Sequence, residues 1–350
     1  MNMQSLRRLP PMRLPWRPHI RLALLAMVAV VVASVTAGLA FARTGAAPIG
    51  SGVVVIDTNL GYQGGQAAGT GMVLSSSGEV LTNNHVIRGA TTIRIVVPGT
   101  GRSYTAKVVG YDVTDDIAVL QTSGASNLKT VSLGNSSTVK LGQVVKAVGN
   151  AGGSGSLSTA GGTVTGIARA ITVSDDQGGS ARLTGLIETN AELQPGDSGG
   201  PLFNAAGNVI GMDAAASVGS GFFRLVASAD GYAIPINKAV TIAKQIESGK
   251  ASSTIHVGGT AFLGVEMAED GYYGSGATIA AVVPGGAAAA AGLAPGDTIT
   301  AFAGHSVSSS STLGSLVAAQ KPGARISLTY VDQTGLARTT TVTLASGPPQ

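Results

Sequence analysis

The chain contains no cysteine. That absence removes disulfides, thiolate metal sites and thiol nucleophiles together, so stability must come from packed cores. Charge is also scarce: Asp, Glu, Lys and Arg make up 11% of the residues, and aromatics 4%, with a single Trp. With 44% hydrophobic residues the composition is that of a globular chain rather than a disordered one, and 350 residues suffice for two domains and a leader. HExxH, HxxEH, EF-hand and P-loop patterns are missing, and with them the common sequence routes to a bound metal or nucleotide. The net charge of +4 gives no nucleic-acid footprint either. Five of the 22 basic residues, Arg7, Arg8, Arg13, Arg17 and Arg21, precede the first apolar run, which leaves 17 against 18 acidic residues over the rest.

What is present begins with that run. Leu22 to Ala42 holds 21 positions without a charge, follows the arginines and ends in the small-x-small "AFA". This reads as an export segment. Its length also suits a bilayer span, so cleavage after about Ala42 and retention as an N-terminal membrane anchor are both open.

Beyond residue 50, short β-rich runs recur between Gly, Asn and Ser clusters: "SGVVVI", "GMVLS", "EVLTNN", "TTIRIVV", "KVVGYD", "DIAVLQT", then "QVVKAVGN", "GTVTGIARAI", "GLIET", "GNVIGMDAA" and "YAIPI". Strands at this spacing predict an all-β architecture, and two six-stranded barrels fit the count. The glycine-rich "NAGGSGSLSTAGG" at 150–162 reads as a surface loop of the second barrel. "INKAVTIAKQIESGK" has apolar residues at intervals of three and four, with Asn237 as a cap and Gly249 as a stop, and predicts a helix closing a domain over 43–249. Residues 250–260 have linker composition. A second module follows over 261–346, with strands near Phe262 and at "TITAF", "RISLTYV" and "TTTVTL", and helices at Ala287–Ala291 and Ser311–Ala319: a small α+β domain.

The chemistry centres on "LQPGDSGGPLF", residues 193–203. As GxSxG this could be a strand-to-helix nucleophile elbow, which needs an acid and then a histidine downstream. Only His256 and His305 lie downstream, and Pro201 with extended "PLFN" stands where the helix belongs. The order histidine, aspartate, serine fits instead. His85 follows a strand in "VLTNNHVI", and "YDVTDDIAVLQT" offers Asp112, Asp115 and Asp116, of which Asp116 abuts the strand. Asp112, Asp175 and Asp176 read as solvated loop charges. A serine hydroxyl needs a base to become a nucleophile, an imidazole can take and return that proton, and a carboxylate can hold the ring's tautomer. The bare Gly196 and Gly199 let the backbone turn its N–H groups toward a developing oxyanion.

"LTNNHVI", "DIAVL" and "QPGDSGGPL" together resemble the three catalytic blocks of the HtrA/DegP-type trypsin-like serine proteases, and "GGAAAAAGLAPGDTITAFAGHSV" resembles their C-terminal PDZ domains. The resemblance covers about residues 50–346 and is nearest to exported actinobacterial members. It implies a chymotrypsin-like double six-stranded β-barrel followed by a PDZ domain, an exported endopeptidase acting on unfolded or damaged polypeptides, and no cofactor or metal. It carries the triad onto His85, Asp116 and Ser198, favours Asp116 over Asp115, and carries the oxyanion hole onto Gly196, Asp197 and Ser198. Leu193, with Ala214, Ala215 and Ala216 facing it, would line a pocket for small or medium aliphatic side chains. Glu192 turned inward would favour Lys or Arg instead, and by alternation only one of the two faces in. Leu263, Gly264 and Val265 would hold the carboxylate of a C-terminal peptide. Such peptides are expected to bias the loops at 168–179 and 217–231. Homotrimers occur in the family, but segment 43–52 supplies nothing to secure one. The chain departs from the family in having Asp197 where Asn is commoner, with no new N-terminus to pair with it. The alternative is a non-enzymatic PDZ peptide-binding scaffold or chaperone with a vestigial protease domain.

Overall fold

The computed structural model describes residues 49–174, 180–214, 231–268 and 276–350. Six strands come first: β1 (Val53–Leu60), β2 (Gly65–Val73), β3 (Glu79–Thr82), β4 (Thr92–Val97), β5 (Arg102–Asp112) and β6 (Ile117–Thr122), with the short helix α1 (Asn84–Ile87) after β3. They pair in the order β5-β4-β1-β2-β3-β6, and β6 returns to β5, so the sheet closes. Its interior is filled by β-branched and aliphatic residues such as Val54, Ile56, Val80, Ile95 and Leu120. Branched side chains are stiff and fit a pleated surface, which is why these runs become strands.

Six more strands, β7 (Val144–Gly149), β8 (Ser158–Ser174), β9 (Ser180–Thr189), β10 (Pro201–Asn204), β11 (Val209–Ala214) and β12 (Gly231–Pro235), close a second barrel in the order β10-β11-β12-β9-β8-β7. The two barrels expected from strand spacing are thus both present. The glycine-rich stretch is only partly a loop, however, because Ser158–Gly162 is the start of β8 and pairs with β7. A shared core joins the barrels, with Met72, Leu81 and Ile117 from the first and Phe203, Met212 and Ile234 from the second. The helix α2 (Ile236–Glu247) adds Ala239, Ile242, Ala243 and Ile246 to this core, one face at helical spacing. Its first turn corrects the expected cap. Pro235 occupies the N-cap, and Asn237 lies inside the helix, its amide donating to Asn135 Oδ1. The stop is as expected, with Gly249 at φ +73° just past the end.

The end of α2 meets the start of β3. Burial first, then a hydrogen bond with Glu247 and its charge, raise Glu79 from 4.5 to about 7. The folded state therefore holds a proton that the unfolded chain releases, and this contribution to stability is complete below about pH 4.5 and lost as pH rises through about 7. Glu79→Gln fixes the neutral form. The variant is expected to melt above the parent at pH 8 and close to it at pH 5. Parallel melting curves across that range would refute the assignment.

Composition alone makes 250–260 a tether, yet β13 (Ile255–Val257) pairs with β5 and buries Ile255. The second module follows: β14 (Thr260–Phe262), β15 (Val265–Met267), β16 (Ala277–Val282), α3 (Ala287–Ala290), β17 (Thr298–Phe302), β18 (His305–Ser306), α4 (Ser310–Ala318), β19 (Arg325–Val331), β20 (Ala337–Thr343) and β21 (Ala345–Gly347). Its sheet runs β15-β16-β17-β19-β20, β18 pairs with β17, and β14 pairs with β21. Stacked rings seat both the connecting strand and the module on the first barrel, His256 of β13 on Tyr111 and Phe262 of β14 on Tyr62, each pair with centroids 5.0 Å apart. Two further bonds bracket His85 itself: Asn84 Nδ2 donates to Gln350 O at 3.0 Å and Gly89 N to Pro349 O at 2.9 Å.

Candidate active site

Strand β3 ends at Thr82, and the chain turns into α1, which presents His85 at the junction of the barrels. Two buried asparagines precede it, and Asn83 Nδ2 donates to Asp116 O at 2.9 Å. Asp116 sits between β5 and β6 with φ +55°, a left-handed conformation that Asp tolerates better than bulkier residues. It grips His85 twice. Asp116 Oδ2 lies 2.8 Å from His85 Nδ1, and Oδ1 accepts the His85 backbone N–H at 2.9 Å. A carboxylate so placed keeps the proton on Nδ1 and leaves Nε2 as the base.

The other two carboxylates of that segment do different work. Asp115 pairs with Lys238 on α2 at 2.5 Å. Asp112, expected in solvent, is buried: its Oδ1 accepts the N–H groups of Thr114 and Asp115 and its Oδ2 the Thr254 hydroxyl, so it caps the turn that carries Asp116. Asp175 and Asp176 lie outside the described residues, as do 175–179 of the expected loop at 168–179 and 217–230 of that at 217–231; residues 168–174 are not loop but the end of β8, paired with β9.

Ser198 is buried in the bend before β10, and its carbonyl accepts the N–H of Thr70 on β2 at 2.9 Å. Thr82 on β3 donates its hydroxyl to Thr70 O at 2.7 Å, so the serine loop and the strand leading to His85 meet on one residue. Gly196 and Gly199 have φ of +98° and +84°. Pro195 O accepts from Gly152 N at 2.7 Å and Asp197 O from Gly200 N at 2.9 Å. Every peptide described is trans, so the N–H of Gly196 and that of Ser198 point away from those acceptors. Among the described residues neither has a hydrogen-bond acceptor. The Asp197 N–H, placed in the same hole by the family pattern, is not available: it donates to Gln194 O at 3.0 Å.

Asp197 finds part of a partner within its own loop, its Oδ2 accepting Gln194 N at 2.9 Å. Burial raises its pKa and that bond lowers it in part. The sequence gives little warning of Asp213. It sits in the apolar strand β11, fully buried, with neither carboxylate oxygen bonded among the described residues. Burial, and then the neighbouring Asp197 charge, push it well above the usual carboxylate range. Its backbone matters as well, because Asp213 O accepts Gly199 N at 2.8 Å and Asp213 N donates to Gly200 O at 2.7 Å.

At the expected pocket, Leu193 is half-buried and Glu192 exposed. A Cβ added to Gly231 would lie 2.7 Å from Leu193 Cγ, so the leucine packs on that bare backbone. Ala214 is buried, while Ala215 and Ala216 lie outside the described residues. In the second module, Leu263 O accepts from Ala288 N at 2.8 Å and Gly264 O from Val283 N at 3.0 Å, with Gly264 at φ +79°. Val265 opens β15, which among the described residues is an edge strand paired only with β16. No group of three His, Asp or Glu among the described residues is set to hold a metal. No helix among them is long and apolar enough to cross a membrane, and Leu22 to Ala42 lies outside them.

Residues 69–212 match the family described as trypsin-like peptidase domain, and residues 261–343 match the PDZ domain. "Serine protease PepD" of Mycobacterium tuberculosis is 36% identical over 320 residues, covering 85% of this chain and 65% of the relative. A "probable periplasmic serine endoprotease DegP-like" of Hahella chejuensis is 35% identical over 280 residues, 77% of this chain and 55% of the relative. The chain thus spans less than two thirds of the length of these relatives. The solved "HtrA-type protease AlgW with tripeptide" is 29% identical and covers 86% of this chain and 95% of that one, with a TM-score of 0.49.

Proposed function

Because the chain belongs to the HtrA/DegP-type family of trypsin-like serine proteases with a C-terminal PDZ domain, we propose that it is an exported serine endopeptidase that cleaves unfolded or damaged polypeptides. The observation that carries this reading is the two-point grip of Asp116 on His85. Ser198 Oγ attacks the scissile carbonyl carbon and gives its proton to His85 Nε2, while Asp116 stabilises the imidazolium. The tetrahedral oxyanion takes the N–H groups of Gly196 and Ser198, each such donor contributing about 3 to 4 kcal/mol. His85 then protonates the leaving amine, and water, activated by the same imidazole, releases the acyl group.

Leu193 and Ala214 form the apolar side of the primary pocket, which favours small or medium aliphatic side chains at the cleaved position. Leu263, Gly264 and Val265 bind the carboxylate of a C-terminal peptide that extends as a strand along β15. The arginine-flanked apolar leader supports work outside the cytoplasm, as do the periplasmic names of relatives. The test is labelling with a fluorophosphonate probe and mapping of the modified residue. A single adduct on Ser198 is expected, with casein hydrolysis lost in Ser198→Ala. An unlabelled protein, or equal casein cleavage by parent and variant, would leave a peptide-binding scaffold as the better description.

A further inference from the structure

Thr70 lies between two glycines in "AAGTGMV", on β2, and is fully buried. Its hydroxyl has one donor and two acceptor lone pairs, and the donor and one of the acceptors are in use. The hydroxyl donates to Gly196 O at 2.7 Å and accepts the Asn150 N–H at 2.9 Å. Its backbone is committed to the same region, with Thr70 N donating to Ser198 O at 2.9 Å and Thr70 O accepting from Thr82 Oγ1 at 2.7 Å.

These bonds close a ring. From the Thr70 hydroxyl one branch runs to Gly196 O and the other through Asn150 to Gly152, whose N–H holds Pro195 O at 2.7 Å. Gly196 is therefore clamped on both flanking carbonyls, Pro195 O and its own. With the two peptide planes fixed, the direction of the Gly196 N–H is fixed too, because it lies antiparallel to Pro195 O across a trans bond. Steric exclusion acts in the same sense. A Cβ on Gly196 would come within 2.2 Å of Asn150 O, and one on Gly200 within 3.2 Å of Thr70 Cγ2. We propose that Thr70 is a positioning residue that aims the Gly196 N–H at the oxyanion, an assignment that rests on the protease reading above.

Thr70→Val keeps the shape and removes both bonds, leaving Asn150 N and Gly196 O without that partner. The expected result is a fall in kcat of about 10²- to 10³-fold with KM within about threefold, the split expected when a transition-state donor is misaimed. Thr70→Ser retains the hydroxyl and is expected to stay within about threefold of the parent in both constants. Thr70→Ala, which adds no bulk, serves as a second loss variant should Thr70→Val not fold. Amide hydrogen exchange over 149–153 and 194–200 supplies a readout independent of turnover, and is expected to speed up about tenfold or more in the loss variants only. A loss variant with parental kcat and parental exchange would overturn the assignment, as would a Thr70→Ser variant as impaired as Thr70→Val. A parent protein without turnover would sink the protease reading alone, and exchange would then decide the role of Thr70.

Discussion

Asp116→Asn is expected to lower kcat/KM about 10⁴-fold, equivalent to about 5.5 kcal/mol of transition-state stabilisation, while the fold stays intact. The amide keeps the volume of the carboxylate, and Asn tolerates the left-handed backbone found at φ +55°, so no strain is added. Its oxygen can still accept the His85 backbone N–H that Asp116 Oδ1 accepts at 2.9 Å. Its nitrogen, however, then faces His85 Nδ1, where Oδ2 stood at 2.8 Å, and a donor there forces the ring to put its proton on Nε2. The imidazole remains in place but can no longer take the Ser198 proton. Asp115→Asn is the matched control. Asp115 is bonded to Lys238 rather than to His85, and its loss is expected to leave kcat/KM within about threefold. Steady-state kinetics with thermal melts for both variants make the test. A loss below tenfold in Asp116→Asn, or a larger loss in Asp115→Asn, would reassign the acid.

The contrast between these neighbours shows where sequence reasoning stops. Short β-rich runs set between Gly, Asn and Ser clusters announce both barrels, because strand formation depends mainly on each run's own side chains. The order of the histidine, aspartate and serine blocks is likewise visible along the chain. What a polar group reaches across the fold is not. Asp112 reads as a loop charge, yet it caps the Asp116 turn and accepts from Thr254, 142 positions away. The Thr70 hydroxyl meets Gly196 O across 126 positions, and nothing in "AAGTGMV" encodes that distance. Residues 250–260 look like a tether because Ser, Thr and Gly dominate them, but the buried Ile255, the His256 ring on Tyr111 and the Thr254 hydroxyl on Asp112 dock β13 on β5. Asn237 looks like a cap until Pro235, with its fixed φ, takes the position first. Asp213 goes unremarked because the barrel wall around it is apolar, and only its two unbonded oxygens set it apart.

Gly199→Ala is expected to cost both stability and activity, and to cost far more than the same change at another glycine of positive φ. Gly199 has φ +84°, and a Cβ there would fall 2.2 Å from Thr70 O and 2.2 Å from Thr82 Oγ1. Neither atom can yield freely, since the Thr82 hydroxyl is bonded to Thr70 O at 2.7 Å and both residues are fully buried. The left-handed backbone costs an L-residue about 1–2 kcal/mol, and the forced displacement adds about 1–3 kcal/mol. Gly64 separates the two contributions. It has φ +67° with nothing within 4 Å of an added Cβ, so Gly64→Ala carries only the backbone cost. Relief of the clash at Gly199 must push the loop off β2, stretching the Thr70 N to Ser198 O bond and the Gly199 N to Asp213 O bond. Ser198 and its N–H move with them, so kcat is expected to fall at least 10²-fold in Gly199→Ala and to change by less than about twofold in Gly64→Ala. Equal melting temperatures and equal rates in the two variants would mean that the loop accommodates a methyl group, and that its close fit against β2 is not what aligns the nucleophile.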